Sequence, residues 1–238
     1  MQDWQLKPAR DIGLPLGGQL ASVRREAGLF NAITHLTWFS ATLVYLRLYH
    51  RLTIEGRENL PKSGSFVMAA NHASHLDALV LASAVNWRMQ SRVFPVAAGD
   101  TFFSTRLSGI LSALLINALP MWRRQACSHG LTDLRQRLTQ DRCVFIVFPE
   151  GTRSRTGDIG TFRAGVGMLV AGTEVPVVPC RLVGTFEAFP FNKRWPRPRK
   201  LRLRIGEPIG FSELASDREG WEQTAKRVEE AVRGLGNG

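Results

Sequence analysis

The sequence has little cysteine and few acids. Of 238 residues three are cysteine. Cys127, Cys143 and Cys180 are odd in number and form no CxxC pair, so they do not outline a disulfide framework or a thiol redox motif. Cys143 and Cys180 lie in apolar, strand-like runs, which predicts buried, inert thiols and suits a reducing compartment. Residues 1–20 lack an apolar central segment and carry Asp3, Lys7, Arg10 and Asp11, so no cleavable signal peptide is expected. There is no internal repeat and no low-complexity tract. His35, His50 and His129 bring no acidic cluster with them, and the spacing of His72, His75 and Asp77 misses the usual metallohydrolase patterns, so no metal is expected. Acidic residues number 20 against 31 Lys and Arg, a formal charge of +11. A surplus of that size suits anionic partners: nucleic acid, an acidic membrane surface, or phosphorylated substrates. The basic residues are spread along the chain and follow no recognised nucleic-acid module, so no nucleic-acid partner is expected.

The N-terminal part reads as an irregular leader followed by a helix. Pro8, Gly13, Pro15, Gly17 and Gly18 punctuate the leader. Residues 27–46 then run without a formal charge, with Leu29, Ile33, Leu36, Leu43 and Leu46 at helical spacing. Twenty residues are long enough to span a bilayer. The interruptions at Asn31, Thr34, His35 and Thr42, and arginines at both ends (Arg24, Arg25, Arg47, Arg51), favour helices lying in one leaflet, with Trp38 and Tyr45 at the interface. Packing of this helix on the core is the other reading. Residues 1–50 are therefore expected to be a leader with membrane-associating helices, and residues 51–238 the main domain.

That domain alternates strand-like and helix-like segments. Strands are expected at 52–54, 65–69, 92–98, 118–122, 143–148, 175–183 and 201–205, and helices at 78–82, 102–115, 131–138, from about 162, and at 221–232. The fold class expected is α/β, a mixed sheet flanked by helices. Residues 143–148 are apolar at successive positions, as strands buried on both faces are. Arg194-Trp195-Pro196-Arg197-Pro198-Arg199-Lys200 reads as a basic, proline-broken loop suited to anionic headgroups, or as a solvated turn.

The chain is organised around Ala70-Asn71-His72-Ala73-Ser74-His75-Leu76-Asp77, a polar cluster where a strand becomes a helix. Sites in α/β sheets collect at such carboxyl ends. His72 and Asp77 are five positions apart, roughly 140° around a regular helix, so one continuous helix cannot pair them. With His72 in the turn and Asp77 in the first helical turn, the carboxylate can fold back onto the imidazole, fix its tautomer and leave the other nitrogen as a base. The same spacing, Ser74-x-x-Asp77, also fits a capping box in which Asp77 merely caps the helix. His75 reads as a surface or packing residue.

The second cluster, Pro149-Glu150-Gly151-Thr152-Arg153-Ser154-Arg155-Thr156-Gly157, follows the buried strand at 143–148. Glycine, hydroxyl and arginine together after a strand suit a phosphate, with approachable backbone N–H groups and a bidentate guanidinium.

Asn71-His72-x4-Asp77 and Phe148-Pro149-Glu150-Gly151-Thr152-Arg153, separated by the 70 residues between Asp77 and Phe148, resemble the glycerolipid acyltransferase family, and within it the 1-acylglycerol-3-phosphate acyltransferases. Leu119-Pro120-Met121-Trp122-Arg123 looks like that family's second block, which ends in a phosphate-binding arginine. Val175-Pro176-Val177-Val178-Pro179 looks like its fourth. The match runs from about residue 50 to 210. Two departures bear on the acceptor: Trp122 stands where an acid is common, and Ala98-Gly99-Asp100 where a lysine is common.

The resemblance implies transfer of a fatty acyl group from acyl-CoA or acyl-carrier protein to the free hydroxyl of 1-acylglycerol-3-phosphate, giving phosphatidic acid. Another lysolipid acceptor, or a non-catalytic lipid-binding protein, are the alternatives. His72 and Asp77 would be catalytic, Arg123 and Arg153 would hold the acceptor phosphate, and Glu150, Gly151 and Thr152 would shape its pocket, with a backbone N–H there as an oxyanion donor. The implied partners are a lysophospholipid, a thioester donor and an anionic membrane at the cytoplasmic face of the cell membrane, and the resemblance implies no metal or bound cofactor.

Overall fold

A computed structural model describes residues 29–98, 119–121, 129–193 and 195–236. The helix expected at 102–115, and Trp122, Arg123 and Cys127, lie outside the described residues.

Among the described residues, seven strands form one mixed sheet: β1 (Thr53–Glu55), β2 (Phe66–Ala70), β3 (Val93–Ala98), β4 (Leu119–Met121), β5 (Val144–Val147), β6 (Val177–Val183) and β7 (Arg202–Ile205). The spatial order is β1-β7-β6-β2-β5-β3-β4. The pairs β6–β2, β2–β5, β5–β3 and β3–β4 are parallel, whereas β7 is antiparallel to β6 and parallel to β1. Five strands therefore share one direction, and β7 and β1 run against them. The strand at 201–205 keeps its expected half-exposed pattern: Leu203 and Ile205 are buried, and Arg202 and Arg204 turn outward to Glu55 at 3.2 and 3.1 Å.

β2 sits at the centre because all five of its residues can be buried, and they are. Its alternating side chains feed two cores. Phe66, Met68 and Ala70 join Val144, Ile146, Val178 and Cys180 on one face. Val67 and Ala69 join Phe145, Val147 and Val177 on the other.

Helices α1 (Leu29–Leu48) and α2 (Asp77–Ala84) cover the first face, and α3 (His129–Gln140), α4 (Gly165–Val170) and α6 (Arg218–Gly234) the second. A four-residue helix, α5 (Thr185–Ala188), follows β6. Gly167 is where α4 meets α6: a Cβ there would lie 2.4 Å from the Trp221 backbone, so no larger residue permits that approach. Cys143 and Cys180 are buried as expected, and burial pushes the Cys143 thiol up to about 11 and Cys180 higher still.

The expected N-terminal helix is present, but its last turns belong to the domain. Leu46 is fully buried in the first core and Thr42 nearly so. Tyr45, expected at a lipid interface, is half-buried: its hydroxyl donates to Nε2 of the buried His50 at 3.0 Å, and His50 Nδ1 donates to the Arg199 carbonyl at 3.2 Å. The physical reason is continuity: α1 runs directly into Leu52 and β1, and Leu52 N–H bonds back to the Leu46 carbonyl at 3.0 Å. Val44 and Leu48, on another face of the same helix, are exposed. Among the described residues, no helix is long and apolar enough to cross a membrane.

Candidate active site

The carboxyl ends of β2, β5 and β6 lie side by side and carry the polar residues. β2 stops at Ala70, yet Asn71 prolongs its pairing with β6 through a side chain: Oδ1 accepts from the Leu182 N–H at 2.8 Å and Nδ2 donates to the Leu182 carbonyl at 3.1 Å. An amide is the one side chain that reproduces both the donor and the acceptor of a peptide unit. The turn that follows is thereby pinned before the chain reaches His72.

Asp77 opens α2 and is fully buried. Its Oδ2 accepts from His72 Nδ1 at 2.8 Å, from the Ala73 N–H at 2.7 Å and from the Ser74 N–H at 2.8 Å. One carboxylate oxygen therefore serves both the imidazole and the turn before α2, while the helix start at Leu76 carries no side-chain cap. The carboxylate reaches back over the turn that precedes α2, to the Ser74 N–H three residues earlier as the acid of a capping box does, and holds the imidazole with the same oxygen. Because a carboxylate only accepts, the network puts the hydrogen on Nδ1 and leaves the lone pair on Nε2. The His72 side chain is 16 % exposed. Its ring stacks on Phe148, centroids 4.0 Å apart and planes 15° apart, so the stacked ring has little freedom to turn.

The second cluster begins where β5 ends and is tied to the first through the His72 backbone. Glu150 Oε1 accepts from the His72 N–H at 2.9 Å, and Oε2 accepts from the Gly160 N–H at 3.1 Å. The Ser154 N–H donates to the His72 carbonyl at 2.7 Å. Both peptide groups flanking His72 are thus held by residues about 80 positions away in sequence. Burial pushes the Glu150 carboxyl above its ordinary value, and the two N–H donors oppose that.

Gly151 sits at φ +73°, where a side chain is strained. Its N–H donates to the Phe148 carbonyl at 3.0 Å. The expectation of an oxyanion donor here is corrected for this group: closing the turn uses the hydrogen. Thr152 is exposed and its hydroxyl donates to the Arg153 carbonyl at 3.3 Å.

Arg153 folds back over the first cluster, its Nη1 2.7 Å from His75 Nδ1 and in contact with Nε2 as well. Burial pushes its guanidinium below the ordinary value, and the Asp77 carboxylate opposes the shift. His75 is also pushed down, first by burial and then by Arg153, so it meets the cation as a neutral acceptor. This partnership, the Phe148 stack and the Glu150 stitching were not legible at the sequence level. Phe148 and Glu150 stood inside the quoted motif, but nothing in their spacing named His72 as their target.

Arg123 lies outside the described residues. β4, which precedes it, runs parallel to β2 and β5 through β3. Among the described residues, no group of three or more His, Cys, Asp or Glu is arranged to hold a metal.

A 1-acyl-sn-glycerol-3-phosphate acyltransferase of Arabidopsis chloroplasts is 32 % identical over 145 residues, 60 % of this chain and 38 % of the plant protein. A probable enzyme of the same name from Mycoplasma pneumoniae is 29 % identical over 73 % of this chain and 70 % of its own length. This chain spans about two fifths of the length of the Arabidopsis and Brassica chloroplast relatives it matches. The crystal structure of the 1-acyl-sn-glycerophosphate acyltransferase PlsC from Thermotoga maritima superposes with a TM-score of 0.64 at 25 % identity, over 86 % of this chain and 78 % of that one. The sequence profile of the Acyltransferase family matches residues 51–183, which takes in β1 to β6 and both polar clusters, and the chain belongs to that family.

Proposed function

We propose that the protein transfers a fatty acyl group from a thioester, acyl-CoA or acyl-carrier protein, to the free hydroxyl of 1-acylglycerol-3-phosphate, giving phosphatidic acid, at the cytoplasmic face of an anionic membrane. The observation that carries this reading is the 2.8 Å bond between His72 Nδ1 and Asp77 Oδ2, which leaves Nε2 as a base beside an arginine suited to a phosphate. The relatives, named as acyltransferases of 1-acyl-sn-glycerol-3-phosphate, support the same acceptor.

Nε2 takes the proton of the acceptor hydroxyl as its oxygen attacks the thioester carbonyl carbon. Asp77 keeps the imidazole in the required tautomer and stabilises the imidazolium that forms, as the acid of a serine-protease triad does, with the substrate's alcohol in the place of serine. The tetrahedral intermediate collapses, the carbon–sulfur bond breaks, and the leaving thiolate takes the proton back from Nε2. Arg153, with Arg123, binds the acceptor phosphate bidentately. Glu150 keeps the His72 backbone in register with the Arg153 loop.

The test is acyl transfer by the full chain to lysophosphatidic acid and a panel of other lysolipids, with both donor types, in wild type and in His72→Ala. A fall of about two to four orders of magnitude in a folded His72→Ala protein is expected. Near-normal turnover refutes the mechanism, and preference for another lysolipid refutes the acceptor.

A further inference from the structure

The segment between α5 and β7 connects the candidate site to the end of α1. At its start the Phe189 carbonyl accepts from Ser74 Oγ at 2.7 Å, and the Phe189 ring lies 5.1 Å from that of His75. Further along, the Arg197 N–H donates to the Ala188 carbonyl at 2.7 Å, and Tyr49 Oη donates to the Pro196 carbonyl at 3.2 Å. The His50–Arg199 bond fixes its far end. The backbone of this loop is thus held at both ends, while Phe191 and Trp195 between them are exposed.

Trp195 is 80 % exposed. Around it Lys193, Arg197, Arg199 and Lys200 are exposed as well, and residues 190–200 contain no acid. The exposed large hydrophobic residues among those described are Val44, Leu48, Tyr49, Trp87, Val183, Phe191 and Trp195. Five of these seven fall on this loop or on the end of α1 that it contacts. Val44 and Leu48 are one turn apart on α1, beside the Tyr45–Tyr49 ridge that meets the loop. An exposed aliphatic and indole surface beside a loop that carries four exposed cations and no acid has the composition of an interfacial lipid contact. Nucleic acid accounts for the cations but gives Val44 and Leu48 nothing to pack on.

We infer that this face, the 189–200 loop with the end of α1, docks on the surface of an anionic bilayer. Trp195 and Phe191 enter the headgroup boundary beside Val44 and Leu48, the cations meet lipid phosphates, and the site next to Phe189 faces the leaflet that supplies its acceptor. The inference rests on the proposed membrane lysolipid substrate, and it makes the loop, rather than the N-terminal segment alone, a determinant of membrane binding.

The experiment compares the full chain with the triple variant K193E/R197E/K200E and with Trp195→Ala, all checked for an unchanged melting curve. Binding is measured to phosphatidylcholine vesicles with and without phosphatidylglycerol, and transfer is measured on a short-chain acceptor dispersed as monomers. Wild type should bind phosphatidylglycerol vesicles in a salt-sensitive way, each variant should bind them about tenfold or more weakly, and rates on the dispersed acceptor should not change. Vesicle binding within about twofold of wild type overturns the inference. So does an equal loss on the dispersed acceptor, which places the loop in the substrate site, or tighter binding to DNA than to vesicles. Failure of wild type to acylate any lysolipid refutes the proposed reaction, whereas the vesicle measurements decide the docking face by themselves.

Discussion

The guanidinium of Arg153 rests on the imidazole of His75, with Nη1 2.7 Å from Nδ1, and so ties the second polar cluster to the first through a residue that the sequence presented as surface or packing. Arginine can only donate, so the contact exists while His75 is neutral. Burial, Arg153 and His72 all push the His75 pKa down, and Asp77 and the Phe191 backbone oppose them. The contact is therefore complete above the ordinary histidine range and is lost as pH falls toward the lowered value. The apparent KM for the lysophospholipid should rise as pH drops from about 7 to about 5. In His75→Gln, which keeps an acceptor but does not titrate, the rise should be smaller. Equal pH profiles for the two proteins would show that His75 does not position Arg153.

Arg153→Ala should raise the KM for the lysophospholipid far more than that for the thioester, because the cation is assigned to the phosphate of one substrate. Steady-state kinetics with each substrate varied in turn checks this. A selective effect on the thioester would assign the loop to the donor instead.

Asp77→Asn separates charge from capping. The Asn oxygen can still accept from the Ala73 and Ser74 N–H groups, so a stability loss of only about 1 kcal/mol is expected, the scale of a helix cap. Activity should fall by about 10³- to 10⁴-fold, as the corresponding exchange does in the serine-protease triad, because the amide favours the wrong histidine tautomer. Urea denaturation and turnover on the same preparation give both numbers. A small activity loss with a clear stability loss would leave Asp77 with the cap alone.

Glu150→Ala removes the acceptor of two backbone N–H groups, those of His72 and Gly160. A cost of about 2–4 kcal/mol is expected if both are left unpaired. Glu150→Gln keeps one acceptor and should cost less. The native carboxyl is raised, so its ionisation opposes folding. That gives a sign: relative to the Gln variant, the wild type should lose stability as pH rises from the ordinary glutamate range through the raised native value. Denaturation at several pH values tests it.

Leu46→Ala should destabilise the protein by about 2–5 kcal/mol, the range for emptying a buried leucine site. Val44→Ala and Leu48→Ala, on the exposed face of the same helix, should change it by less than about 0.5 kcal/mol. If Leu46→Ala is as mild as its neighbours in thermal denaturation, the end of α1 does not belong to the core.

Most of the fold was legible in the sequence because its strands announce themselves. Residues 66–70 and 144–147 are apolar at every position, and a strand buried on both faces has no other composition. The His72 turn was legible for a related reason: five residues cannot be paired along one helix, so pairing His72 with Asp77 demanded a turn followed by a helix start. The antiparallel placement of β7 was not legible, since nothing in the alternation of residues 201–205 states which neighbour it joins or in which direction. Nor was the length of the charge-free helix decisive, because twenty apolar-rich residues satisfy a leaflet and a protein core equally.

The sequence by itself determined which residues are the candidates for chemistry. A histidine, two acids, glycines and an arginine stood at the carboxyl ends of two core strands, in an order that few families share. Only the tertiary structure decided who holds whom. Glu150 meets His72, Ser154 meets its carbonyl, Phe148 stacks on its ring, and Arg153 reaches His75. These contacts join positions some 76 to 82 residues apart. Local propensity and spacing act over a few residues, whereas contacts of that range exist only because β2 and β5 pair in parallel and bring their two loops to the same end of the sheet.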